Sequence, residues 1–323
     1  MRGLVCATAL LVMPGVAVGQ STSTPPRIAF VAAAHAPAVA GRVDAFREGL
    51  RARGLIEGRT INVEYHYGEE RADRLQAIVA DLVKRNVAVI VAAGPAVTRL
   101  ARNATSTIPI VMAFDTDPVG SGAVASLSRP SGNVTGLSIQ ATDLAGKQLE
   151  ILKQIVPKLA RIGLITNSQE PGNGESMRAA RDAATRLGLA LETLDVVRPD
   201  QIESAFAQAS RSKVDALLVL SSPQVFFHRA RLVDLAAKHR LPAIYPYPEL
   251  IDAGGLVMYG VAINDLFRRS ATYVDRILKG ARAGDLPVEQ PTTFELVVNV
   301  AAAKRIGLDI PPAVLARADR VVR

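Results

Sequence analysis

The segment Val87-Ala88-Val89-Ile90-Val91-Ala92-Ala93-Gly94-Pro95 decides the fold class. Its first six residues form a short β-branched and alanine-rich run, which is typical of a strand buried on both faces. Gly94 permits a tight turn, and Pro95 suits the first position of a helix. The segment therefore predicts a buried strand that passes directly into a helix.

The same alternation continues on both sides of this segment. Residues that repeat at helical spacing lie between the apolar runs, as in Val39, Val43, Phe46 and Leu50. Strands that alternate with helices indicate a parallel sheet covered on both faces, joined by right-handed crossovers. We therefore expect a doubly wound α/β unit with strands at Ile28–Ala33, Ile61–Tyr67, Val87–Ala92 and Ile108–Ala113.

The alternation restarts after a helix predicted near Leu144–Val156. Two similar halves joined near residue 140, with a cleft between them, are the simplest interpretation. The second half has predicted helices near Glu175–Leu187, Pro199–Ala209 and Phe226–His239, and predicted strands at Arg161–Thr166, Leu189–Val196, Val214–Leu220 and Pro242–Tyr245.

Composition indicates a packed globular protein. The chain has 323 residues, of which 49% are hydrophobic and 21% are charged, so disorder is excluded. The formal net charge is +8, yet the basic residues are dispersed and form no run of the kind that binds nucleic acid. We therefore expect no nucleic-acid partner.

The first nineteen residues have the features of a cleaved signal peptide. Arg2 provides the positive charge, Leu4 to Met13 the apolar stretch, and Ala17-Val18-Gly19 the small residues of a cleavage site. Residues 1–19 therefore predict export to the periplasm. Cleavage would remove Cys6, the only cysteine, so we expect no disulfide or thiolate site afterwards.

Signatures of catalysis are scarce. The four histidines, at positions 35, 66, 228 and 239, show no metal-binding spacing. Gly120 to Ala125 matches the dinucleotide pattern G-x-G-x-x-A, but it follows a loop instead of the first strand. We therefore expect no catalytic residue, metal or cofactor, and predict that the chain is not an enzyme.

Several predicted strands end where a helix begins, which is where doubly wound sheets bind ligands. Gly94-Pro95 is one such point, and the serine cap Ser221-Ser222-Pro223 is another. Asn167, Ser168 and Asn173 follow a third strand. These points predict two half-sites that hold one small anionic or zwitterionic ligand.

Longer segments carry a resemblance to a known family. Asp117-Pro118-Val119-Gly120-Ser121-Gly122 and the stretch Ser126 to Gly136 resemble the hallmark segment of the tryptophan/tyrosine-type ABC transporter substrate-binding proteins. Ala253 to Gly260, Arg268 to Ala271, Ile277 to Gly280 and Asp285 to Leu296 agree with the same family, in the same order. The resemblance covers residues 27–323.

The resemblance implies a type I periplasmic binding protein architecture, in which two α/β lobes are joined by three crossovers. The first lobe would comprise residues 27–138 and 261–292, and the second lobe residues 139–260 and 293–323. The family places its crossings near Val134–Ser138, Leu256–Tyr259 and Thr293–Asn299. It also implies that a monomer delivers a small solute, in some members an aromatic amino acid, to an ABC permease and its ATPase.

Within that architecture a solute that bridges both lobes would favour the closed state. Backbone N–H groups near Gly94 and the serines would bind the carboxylate of the solute. Asp117 or another acid would bind its ammonium group, and a tyrosine would cover an apolar side chain. The residues expected to bind the solute are His35, Gly94, Ala96, Phe114 and Asp117 in the first lobe, and Asn167, Asn173, Ser221, Ser222, Tyr245 and Tyr247 in the second.

Two other functions share this type of chain. A sensor would present its closed form to a receptor instead of a permease, and an exported α/β enzyme would need a nucleophile or a metal. Solute binding for import remains the leading hypothesis.

Overall fold

A computed structural model describes residues 24–139, 144–170 and 172–323. The signal peptide expected at residues 1–19 lies outside these ranges. The fold is mixed α/β, with one sheet of five strands and one of seven.

The five-stranded sheet is built from the N-terminal part of the chain, and all its strand pairs are parallel. The strand order is β2-β1-β3-β4-β5. The strands are β1 (Arg27–Ala32), β2 (Asn62–Tyr67), β3 (Val89–Ala93), β4 (Ile110–Asp115) and β5 (Val134–Ser138), and the helices between them are α1 (Ala40–Arg51), α2 (Ala72–Lys84) and α3 (Pro95–Ala104). A short 3₁₀ turn (Ala36–Val39) precedes α1.

Burial explains why these strands lack polar alternation. All six residues of β4 are buried, as are five of the six in β1. Helices cover both faces of a parallel sheet, so its strands read as continuous apolar runs.

The seven-stranded sheet has the order β12-β11-β10-β9-β8-β6-β7. Its strands are β6 (Arg161–Thr166), β7 (Ala190–Asp195), β8 (Ala216–Val219), β9 (Ala243–Tyr245), β10 (Val257–Val261), β11 (Phe294–Asn299) and β12 (Arg320–Val322). The helices that follow β5 are α4 (Leu144–Ile155), α5 (Asn173–Arg186), α6 (Ile202–Arg211), α7 (Pro223–Phe227), α8 (Arg229–Lys238), α9 (Pro248–Asp252), α10 (Ile263–Leu278), α11 (Val300–Arg305) and α12 (Pro312–Leu315), with 3₁₀ turns at Pro199–Gln201 and Ala283–Asp285.

One strand pair departs from the parallel pattern. Strands β10 and β11 are antiparallel, with Val257 opposite Val298 and Val261 opposite Phe294. Between them the chain leaves the second sheet to form α10, so β11 enters the sheet from the opposite end.

Helix α10 follows β10 of the seven-stranded sheet but packs against the five-stranded sheet. Its main contacts are with α1, and it also contacts β4 and β5 of the first sheet. Gly49 makes this packing close, because a Cβ added there would lie 2.1 Å from the Arg268 carbonyl oxygen. The chain therefore passes between the lobes after β5, after β10 and before β11. We propose that the first lobe comprises residues 27–138 and 261–292 and the second lobe residues 139–260 and 293–323.

Every strand predicted from the sequence is present within two residues of its expected bounds. The single helix predicted over Phe226–His239 is wrong, because α7 ends before His228 and α8 begins after it. His228 has φ −100° and ψ 24°, outside helical geometry. At this break, Nη1 of Arg229 donates to the carbonyl of Phe226 at 2.9 Å.

None of the helices within residues 24–139, 144–170 and 172–323 combines the length and the apolar character that crossing a membrane requires.

Candidate functional site

A cavity that is open to solvent lies between the lobes at the carboxyl ends of their strands. We call it the cleft cavity. The first lobe contributes the ends of β1, β3 and β4 and the start of α3, and the second lobe the residues after β6, β8 and β9. The residues that line it are Ala32, Ala33, Ala34, Val39, Arg42, Ala93, Gly94, Pro95, Ala96, Val97, Phe114, Thr116, Glu170, Ser221, Ser222, Pro223, Phe226, Phe227 and Tyr247.

A second cavity adjoins the first and is called the rear cavity here. Its walls include Ile139 near the end of β5, Val261 at the end of β10 and Asn173 at the start of α5. Thr116, Ser221 and Tyr247 line both cavities. The hydroxyl groups of Ser221 and Tyr247 are hydrogen-bonded to each other, so this pair marks the boundary between the two cavities.

The start of α3 forms the first-lobe wall. Gly94 has φ 121° and ψ 167°, and Pro95 follows it in the first turn of the helix. The backbone N–H and the hydroxyl of Thr98 both donate to the Gly94 carbonyl, at 3.1 and 3.2 Å. The helix therefore presents its N-terminal end, with free N–H groups and partial positive charge, to the cavity.

The start of α7 forms the opposite wall. Ser222 is the N-cap of this helix, and its Oγ accepts a hydrogen bond from the Val225 N–H at 3.2 Å. Phe226 packs edge-on against Phe227 and Tyr247, with ring centroids 5.7 and 5.8 Å apart. The second lobe therefore presents a hydroxyl group beside three aromatic rings.

The loop between β6 and α5 is stabilised by two asparagines. Nδ2 of Asn173 donates to the Asn167 carbonyl at 3.0 Å, and Nδ2 of Asn167 donates to Gln224 Oε1 at 3.0 Å. The loop reaches the first lobe at Gly172, where an added Cβ would lie 2.9 Å from the Asp117 Cβ. The two lobes are thus in contact across the cleft.

Two carboxyl groups near this contact are perturbed by burial. Asp115, 1% exposed at the end of β4, has its pKa raised to about 6, mainly by burial and further by the negative charges of Asp117 and Glu170. Burial also raises the pKa of Glu170, and the positive charge of Arg99 opposes that rise. A carboxylate that is partly removed from water is stabilised by a cationic group beside it.

Seven of the eleven residues predicted to bind a solute lie at the cavity walls. Gly94, Ala96, Phe114, Ser221, Ser222 and Tyr247 line the cleft cavity, and Asn173 lines the rear cavity. The structure thus brings them together from both lobes, at the strand ends where the sequence predicted them.

Four predicted residues lie elsewhere. The His35 side chain is 54% exposed, with Nε2 3.9 Å from Glu70 Oε1, and does not line either cavity. Tyr245 is buried in the core, where its ring covers Gly255. Asn167 and Asp117 form hydrogen bonds that stabilise their own loops. Those of Asn167 are described above, and Asp117 accepts the Gly120 N–H at 2.7 Å.

Sequence reasoning missed other residues at the cleft. Phe226 and Phe227 lie three and four residues after Pro223 of the predicted Ser-Ser-Pro cap, and Glu170 lies in the loop after a predicted strand, so position alone could have identified all three. Arg42 gives no such signal, because an arginine within a helix ordinarily faces water.

Within the described residues, no three or more His, Cys, Asp or Glu side chains are arranged to hold a metal ion.

Comparison with known proteins agrees with this geometry. A tyrosine-binding protein of Clostridioides difficile (strain R20291) is 25% identical over 263 residues, which is 81% of this chain and 75% of the relative. The structure of an ABC domain in complex with L-Trp, from Streptococcus pneumonia, superposes with a TM-score of 0.85 at 25% identity and covers 93% of this chain and 100% of the other. A conserved domain protein of Vibrio cholerae gives a TM-score of 0.84 at 27% identity, covering 92% of this chain and 99% of the other.

The strongest assignment comes from a family model that spans nearly all of the described chain. The model for ABC transporter substrate binding proteins matches residues 27–322. With two lobes, a cleft at their strand ends and this match, the chain belongs to the family of ABC transporter substrate-binding proteins.

Proposed function

We propose that this chain is the periplasmic solute-binding subunit of an ABC importer and that it binds an amino acid in the cleft cavity. Residues 1–19 would direct export, and the mature chain would act as a monomer that delivers its solute to an ABC permease and ATPase. Relatives described as binding tyrosine and L-Trp favour an amino acid with an aromatic side chain.

One observation carries the proposal: chemically different groups from both lobes face one cavity. The first lobe supplies the N-terminal end of α3 and the ring of Phe114, and the second supplies Ser222, Glu170 and further rings. A small zwitterion with an apolar side chain complements each of these features.

The carboxylate of the solute would lie at the start of α3, near Gly94 and Ala96, where helix N–H groups and the helix dipole favour an anion. Its ammonium group would lie near Glu170, which lines the cleft cavity and whose pKa is raised by burial. Phe114, Phe226, Phe227 and Tyr247 would cover the side chain, since aromatic rings pack favourably at offset or edge-on angles.

Closure of the lobes would accompany binding. A solute held by both lobes makes its full set of contacts only when they are together, so it shifts the population towards the closed state. The approach of Gly172 to Asp117 supports this part of the proposal, because it is a contact that opening would break. No covalent chemistry is needed, so we propose that the chain is not an enzyme.

A thermal-shift screen of the mature chain tests the proposal. Amino acids, small organic acids and purines would be added singly, and a ligand that binds only the folded state raises the melting temperature. We expect L-tryptophan, L-tyrosine or another amino acid to raise it. The proposal fails if no amino acid does so at millimolar concentration.

A further inference from the structure

Arg42 places a charge on the buried side of a helix. It lies on α1 in the first lobe, on the same face as Phe46 and Gly49, and is 5% exposed. Burying a charge costs free energy unless other groups compensate it. The compensating carboxylate belongs to the second lobe.

That carboxylate is Glu249, in the first turn of α9. Nε of Arg42 donates to Glu249 Oε1 at 2.9 Å, and Nη2 lies 2.6 Å from the same oxygen. Nη2 is outside hydrogen-bond geometry, and Glu249 Oε2 has no donor among the described residues. The pair therefore joins the two lobes through one carboxylate oxygen.

Four aromatic rings surround the guanidinium group of Arg42, two from each lobe. Its central carbon lies 4.7 Å from the ring centre of Phe226 and 5.7 Å from that of Tyr247, both in the second lobe. The distances to Phe114 and Phe267 in the first lobe are 5.7 and 5.8 Å. A cation within about 6 Å of a ring is attracted to it. Phe114, Phe226 and Tyr247 also line the cleft cavity, so one cation holds cavity rings from both lobes.

We infer that Arg42 is a positioning residue that sets how the two lobes meet when the cleft closes. Opening would separate the guanidinium from Glu249 and from the two second-lobe rings, and both charges would return to water. The side chains of Arg42 and Glu249 are 6% and 18% exposed. An ion pair so far removed from water gains about as much from attraction as it loses in desolvation. The pair therefore adds little to the free energy of closing, but it makes closure in any other register costly, because a charge would be buried unpaired.

This inference rests on the proposed function, and a double-mutant cycle on solute affinity tests it. The variants are Arg42→Met, Glu249→Leu and the two combined, titrated calorimetrically with L-tryptophan and L-tyrosine. We expect Arg42→Met to raise Kd by about tenfold or more, because closing would then bury Glu249 alone. The combined variant should recover most of that loss. Additive effects of the two single changes on Kd would overturn the inference.

Arg268 and Glu48 provide the matched control. They form an ion pair at 2.9 Å that lies on the surface of the first lobe, about half exposed. Replacing both by Met and Leu should leave Kd unchanged, because their contact does not cross the cleft. A loss of affinity equal to that of Arg42→Met would also overturn the inference.

Small-angle scattering without solute separates this inference from the proposed function. Arg42→Met should have a larger radius of gyration than the wild type, and the combined variant should return towards it. If the wild type binds neither amino acid, the proposed function fails for these solutes and scattering alone decides the inference. A solute-free wild type as compact as the structure, together with an equal radius for Arg42→Met, would then overturn it.

Discussion

Phe114 lies directly behind Gly94, so that a Cβ added to Gly94 would be 3.2 Å from the Phe114 Cζ. The glycine also has φ 121°, a conformation that side chains rarely adopt. We therefore predict that Gly94→Ala lowers the free energy of unfolding by about 1–3 kcal/mol, through backbone strain and displacement of the ring.

Gly174 is the matched control for this change, because it lies within α5 and a Cβ there meets nothing within 4 Å. Gly174→Ala should raise the free energy of unfolding by less than about 1 kcal/mol, because Gly174 lies in the first turn of α5. Urea unfolding of both variants measures the two effects. Equal effects at the two positions would show that the environment of Gly94 imposes no constraint.

Burial of Asp115 predicts a pH dependence of stability. Its pKa in the folded chain is about 6, above the 3.8 of an exposed aspartate, so the folded state binds more protons between these values. The contribution of protonated Asp115 to the free energy of unfolding is fully present below pH 3.8 and is lost as pH rises through 6. A shift of two units corresponds to about 3 kcal/mol.

Asp115→Asn should remove this dependence, since the amide oxygen can still accept the Asp117 N–H. Urea unfolding at pH 4.5 and 7.5 is the measurement, and the variant should lose less stability than the wild type between the two. Asp182→Asn, at an exposed position on α5, should retain the wild-type difference. If Asp115→Asn loses as much stability between pH 4.5 and 7.5 as the wild type does, other groups cause the pH dependence.

Ser222 combines a structural role with a place at the cleft. Ser222→Ala removes the cap of α7 and should cost about 1 kcal/mol of stability. Because its hydroxyl also lines the cavity, solute affinity should fall as well. Calorimetry and chemical unfolding on the same samples measure both effects.

Asn299 is a cap of the same kind outside the cleft, where its Oδ1 accepts the Ala302 N–H at 2.9 Å. Asn299→Ala should lower stability by a similar amount and leave solute affinity unchanged. If both variants lose affinity equally, the loss at Ser222 reflects stability alone.

The Asn173 side chain should matter for both stability and binding. Asn173→Ala removes one of two donors to the Asn167 carbonyl, which also accepts the Glu170 N–H at 3.1 Å, so we expect a loss of about 1 kcal/mol. The loop that carries Glu170 should loosen, so we expect weaker solute binding.

Asn133→Ala is the corresponding change in the first lobe, where Nδ2 bonds the carbonyls of Thr105 and Ile108 at 3.0 and 2.8 Å. It should reduce stability without changing Kd. Unfolding and titration of both asparagine variants test this contrast, and unchanged affinity in Asn173→Ala would contradict a role for the loop in binding.

The strands could be predicted from the sequence because their signal is local. Val89 to Ala93 is apolar on both faces, and this alone indicates a strand within a parallel sheet. The antiparallel entry of β11 could not be predicted in this way, because it depends on where α10 packs.

The cleft was predictable only in part, for the same reason. Gly94 and Ser222, each followed by a proline, indicate the start of a helix from local sequence alone, and both line the cavity. Tyr245 lies in the core instead of at the cleft, because it ends β9, a strand whose three residues are all buried. The burial of Arg42 depends on Glu249, 207 residues away, and no local pattern reports such a contact.

In the proposed function a solute binds between the lobes. Diffraction from crystals of the mature chain grown with saturating L-tryptophan or L-tyrosine tests it most directly. We predict electron density for the amino acid between Phe114 and Phe226, in contact with residues of both lobes. Density that touches one lobe alone, or a cleft left empty by both amino acids, would contradict the claim.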